Sequence, residues 1–145
     1  GYQMNIFNDH QLSSYLNRKG STVSRAVASI ELNKDELSKF ARKNRLLYYA
    51  HGRPIVMTFN ERVASHELRD KMDYSFPLRK GPTGSTQMLY SKTVALLQNT
   101  PEILNLGVDG LFLDLEKNSE VFALVKLYKD FANGKIPQVQ SFKRE

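Results

Sequence analysis

The sequence predicts an α/β fold built from parallel βα units. Two patterns carry this expectation. Strand-like runs of β-branched and apolar residues alternate with runs whose apolar residues recur at helical spacing. The order runs strand, helix, strand, helix, a strand-rich stretch, then helix, strand, helix, as successive βα units would. The chain has 145 residues, 41% hydrophobic and 25% charged, enough for one domain with a buried core.

Met4 to Asn8 reads as a short strand. Asp9 is placed to cap a helix carrying Leu12, Tyr15 and Leu16, which Gly20 stops. Thr22 to Ile30 is rich in β-branched and small residues and reads as a second strand. Asn33 caps the next helix, with Leu37, Phe40 and Ala41 on one face. Asp35 and Glu36 fall in its first turn, and Arg42 and Lys43 in its last, as the helix dipole favours. Arg45 to Phe59 is the most strand-like stretch, broken at His51 to Pro54 because proline cannot donate to a ladder. Residues 60–71 are polar and ambiguous, Tyr74 to Leu78 is apolar around a proline, and Lys80 to Ser85 is a loop. Thr86 to Ser91 is strand-like, and Val94 to Leu106 reads as helical with a restart at Pro101. Gly107 ends that helix, Val108 to Leu115 reads as a buried strand, and Ser119 caps a last helix. That helix carries an inward stripe of Val121, Leu124, Val125, Tyr128 and Phe131, and Gly134 closes it. Residues 1–134 are therefore expected as a single α/β domain and 135–145 as an extended tail.

Composition limits the chemistry. With no cysteine, disulfides, thiol nucleophiles and cysteine-held zinc or iron–sulfur clusters are excluded. A reducing, cytoplasmic setting fits that composition. No apolar run approaches the roughly 20 residues that span a bilayer, so no membrane partner is expected. Gly1 in place of an initiating Met reads as a cut end and suggests a fragment of a longer protein. The net charge of +6 suits nucleic acid or acidic surfaces. The basic residues are nevertheless scattered, as Arg18-Lys19, Arg42-Lys43 with Arg45, Arg79-Lys80 and Lys143-Arg144, and read as solvated surface.

The polar residues at expected strand ends are the candidate site: Asn8, Glu31, His51, Arg53, and Asp114 with Glu116. They offer carboxylates for acid–base work, an imidazole, and a guanidinium for an anion. Each also has an ordinary structural use. Asn8 suits a helix cap, Glu31 a solvated turn, His51 a packed position, Asp114 a turn, and Arg53 an ion pair with Asp70 or Glu31. Tyr48, Tyr49 and Tyr74 lie near basic residues and could stack on bases, or serve as core and rim aromatics. Phosphate-binding glycine loops, nucleophile elbows and zinc-type histidine pairs are absent.

Five segments in order resemble peptidase family U thirty-two, the collagenase-like peptidases: MNIFND, SIEL at Ser29 to Leu32, YYAHGRPIVMT, LRDKMDYSFPL at Leu68 to Leu78, and NLGVDGLFLDLE. The likeness spans roughly Met4 to Gly134. It implies the closing strands of a TIM-like barrel plus an appended region. A whole barrel takes about 250 residues, so this chain is expected to be a fragment, or to be completed by a partner or a second copy. The resemblance carries Glu31, Gly52, Arg53, Asp70 and Asp114 into the family's motifs, with Lys71 where the family has Arg. It implies peptide-bond hydrolysis of a polypeptide. Strand-end placement makes Glu31 and Asp114 the catalytic candidates, activating a water, and Asn8, His51 and Arg53 substrate-binding candidates, joined by Asp70 from the family's motif. No metal ligands are singled out. Some relatives modify RNA with a cysteine-held iron–sulfur cluster, which this chain cannot ligate. The alternative expectation is a non-catalytic module that binds RNA or a protein partner.

Overall fold

The computed structural model describes residues 2–115 and 120–135. The chain divides into two compact units. The first combines Gly1–Ala50 with Leu96–Glu145, and the second is His51–Ala95.

In the first unit, helix α1 (Asp9–Leu16) starts at Asn8, whose side chain accepts the Gln11 amide at 2.9 Å. The cap is thus Asn8 and not Asp9. The Asp9 carboxylate instead accepts the amides of Ala41 and Arg42, tying the start of α1 to a segment more than thirty residues on. Helix α2 (Lys34–Ser38) has a full capping box. Asn33 accepts the Glu36 amide, and the Glu36 carboxylate accepts the Asn33 amide. It ends at Ser38, so Arg42 and Lys43 lie beyond its last turn. Asn33→Ala removes the cap, and urea unfolding should show a loss of about 1 kcal/mol.

The strand predicted for Thr22 to Ile30 is short. It comprises β1 (Ala26–Val27) and a single parallel bridge from Ala28 to Ile6. Strand β1 runs parallel to β2 (Leu46–Gly52). Strand β8 (Gly110–Leu113) also pairs β2. Between them, α3 (Thr100–Asn105) carries Pro101 in its first turn, where the missing amide is no loss. Helix α4 (Val121–Ala132) buries Tyr128 and Phe131, and the Tyr128 hydroxyl donates to the Ala50 carbonyl at 3.0 Å. Ser119, expected as its cap, Glu116, and residues 136–145 of the expected tail lie outside the described residues. The core gathers Ile6, Leu12, Leu37, Phe40, Leu46, Ile103 and Val108.

The second unit is a small antiparallel sheet. Strands β3 (Ile55–Phe59), β4 (Glu67–Arg69), β5 (Ser75–Lys80) and β6 (Thr86–Leu89) lie in the order β3-β6-β5-β4. Strand β7 (Val94–Ala95) pairs antiparallel with the end of β2 at His51 and Gly52. Pro77 sits in β5 without breaking it. Ser75 to Pro77 pair β4, and Leu78 to Lys80 pair β6, so Pro77 has a ladder partner on one side only.

This corrects the expected fold class. The chain is not an arrangement of parallel βα units resembling part of a TIM barrel. Among the described residues, one sheet combines the parallel pair β1-β2 with the antiparallel pair β2-β7, and the other is antiparallel throughout. The connections explain why. Residues 70–74 join β4 to β5 and 81–85 join β5 to β6. Such short links permit only antiparallel neighbours, because a parallel crossover needs a dozen residues or more. Val94–Ala95, expected to open a helix, is captured by β2 instead.

Candidate functional site

The sequence-predicted residues are divided between the units: Asn8, Glu31 and Asp114 belong to the first, and His51, Arg53 and Asp70 to the second. In the first unit no hydrogen bond or ion pair joins the three. Asn8 is engaged as the helix cap. Glu31 is exposed in a turn whose amide donates to the Ser29 hydroxyl at 3.3 Å. Asp114 is half-buried past the end of β8 and accepts a long 3.5 Å bond from the Tyr49 hydroxyl. Tyr49 is buried and stacks at a tilt on Phe112, which removes it from the set of base-stacking candidates. Buried Ser29 donates a 3.4 Å bond to the Asn5 carboxamide. Asn5 holds a left-handed φ of 49°, a conformation asparagine tolerates better than most residues.

In the second unit, His51 lies in β2, and burial lowers its pKa below the ordinary histidine value. Burial thus favours the neutral imidazole. The Arg53 guanidinium donates to the Thr93 hydroxyl at 3.3 Å. Asp70 shapes the turn from β4 to β5. Its carboxylate accepts the amides of Met72 and Tyr74 at 2.8 and 2.9 Å, and its backbone bonds Tyr74 and Asp73. These contacts give Asp70 a turn-forming use. Tyr74 is exposed, with the Lys92 ammonium 5.6 Å from its ring centre.

The same hairpin contains a titratable cluster. The Ser75 hydroxyl, and then Arg69, hold the Glu67 carboxyl below its ordinary pKa. A depressed folded pKa contributes stability above the ordinary Glu range, and that contribution is lost as pH falls through the folded value. Ser75→Ala should raise the Glu67 titration midpoint, read by carboxyl carbon NMR.

The feature that sequence reasoning passed over is a hollow of 420 Å³ in the first unit. Leu16 and Asn17 reach it from the end of α1, and Val23 and Ser24 from the segment before β1. Arg42, Asn44 and Arg45 reach it from the segment before β2. Its two contributing stretches, 17–25 and 42–45, hold six basic residues and no acidic one. Arg45 is fixed by a 3.3 Å bond from its guanidinium to the Ser24 carbonyl. Arg25 pairs with Asp109 at 2.7 Å. Arg42 is exposed, and no ion pair engages its guanidinium among the described residues. Of these six basic residues Arg42 and Arg45 line the hollow itself. The available signal was the lack of acidic residues in both stretches.

Asn8 lines a second hollow of 390 Å³ with Phe7, Asp9, Leu32, Glu36, Lys39 and Phe40. There both carboxylates already accept backbone amides. Among the described residues, no group of three His, Asp or Glu side chains is placed to hold a metal ion, and no helix is long and apolar enough to cross a membrane. The hydrolase and peptidase expectation finds no support in this geometry. No family model, curated protein or solved structure matches the chain.

Proposed function

We propose that the first unit is a non-catalytic RNA-binding module whose contact surface is the basic hollow. One observation carries this reading: Arg42 and Arg45 line a hollow whose other lining residues, Leu16, Asn17, Val23, Ser24 and Asn44, include no acidic side chain. Arg42 and Arg45 present guanidinium groups, which match phosphate oxygens in a planar, two-pronged geometry. Arg45 is held by the Ser24 carbonyl, so less side-chain freedom is lost when it binds. The net charge of +6 assists approach to a polyanion.

Salt dependence tests the reading. A single strand touching about three phosphates should lose affinity about 20-fold between about 50 and 200 mM salt. Fluorescence anisotropy with a labelled RNA oligonucleotide measures this directly. Affinity unchanged across that range would overturn the proposal.

A further inference from the structure

The composition of the hollow supports more than phosphate attraction, and we infer that it receives one unstacked nucleotide of single-stranded RNA. This inference rests on the RNA-binding reading above. A site that only neutralised phosphates would need cations alone. This one adds an apolar wall, Leu16 and Val23, and two carboxamides, Asn17 and Asn44. Val23 is 37% exposed, an apolar side chain left to the hollow instead of the core. Asn17 and Asn44 are exposed, and neither carboxamide is engaged by a hydrogen bond among the described residues. A carboxamide carries both a donor and an acceptor, the pair that reads a base edge. The volume of 420 Å³ lies within the range of about 300–1,000 Å³ seen for pockets that enclose small ligands.

The parts assign themselves by chemistry. The base lies against Leu16 and Val23, its edge meets Asn17 or Asn44, and its phosphate meets Arg42 and Arg45. A base in a duplex has both faces stacked and its pairing edge occupied, so the hollow favours a single strand.

The test compares a labelled single-stranded oligonucleotide with the blunt duplex of the same sequence, at one salt concentration, using the full chain. The single strand should bind about tenfold more tightly, the size expected of one apolar contact together with one base-edge hydrogen bond. Val23→Ser should remove most of that advantage, and Asn17→Ala with Asn44→Ala should flatten any preference among homopolymers. Both should leave the salt slope unchanged. These three positions are exposed, and circular dichroism checks that each variant is folded. Equal binding of single strand and duplex with a steep salt slope would overturn the nucleotide inference and leave RNA binding standing. Binding of neither would overturn both. A single-strand preference untouched by all the variants would place the base elsewhere and overturn the inference.

Discussion

Leu46→Ala is expected to destabilise the first unit by about 3–5 kcal/mol, near the upper end of the range for buried leucines. Leu46 is fully buried. It begins β2, pairs Ala26 of β1, and offers its carbonyl to the Asp109 amide at 2.8 Å. Truncation leaves a void between segments held by backbone bonds on both sides, which limits collapse around it. In a domain of about 100 residues, each 1 kcal/mol lowers Tm by about 4 °C or more, so the change should be plain by calorimetry. Phe122→Ala is the control. Phe122 is 91% exposed on α4, and its loss should shift stability by no more than about 0.5 kcal/mol. A Leu46→Ala variant as stable as wild type would show that β2 does not organise this core.

The second large effect concerns binding. Arg42→Glu combined with Arg45→Glu should reduce RNA affinity about 100-fold at low salt and make the log–log salt slope shallower by about 1.4, the share of two phosphate contacts on a single strand. The comparison that isolates the hollow is Arg62→Glu with Lys71→Glu. It makes the same change in net charge at exposed positions that do not line the hollow and should alter affinity by less than about threefold, as expected for screened surface charges. Equal losses from the two double variants would mean that net charge, not the hollow, attracts the polyanion. Anisotropy titrations at two salt concentrations read both quantities. Circular dichroism checks folding, which exposed Arg42 and Arg45 are not expected to disturb.

The candidate site was legible in its residue types but not in their use. Asn8 and Asp70 are polar residues where functional groups often sit. One closes a helix terminus and the other a hairpin turn. Both uses satisfy backbone amides that would otherwise lack partners, a demand present in every fold. Strand-end position does not distinguish a side chain free to meet a ligand from one already accepting amides. The hollow was illegible for the opposite reason. Arg42 and Arg45 are unremarkable in the sequence, and only the folded chain sets them around one hollow with Leu16, Asn17, Val23 and Ser24.

Sequence alone determined what depends on neighbours a few residues apart. The capping box of Asn33 and Glu36, the proline start of α3, the inward stripe of α4 and the break between β2 and β3 all follow from contacts within one or two turns. Absence of cysteine likewise fixed which chemistries are closed to the chain. Tertiary structure decided strand direction, the capture of Val94–Ala95 by β2, and the placing of Arg42 and Arg45 against Asn17 and Val23 around one hollow. Those outcomes turn on which distant segments pair and bury one another. Such choices are settled by competition between long-range partners, and local residue patterns do not encode the winner.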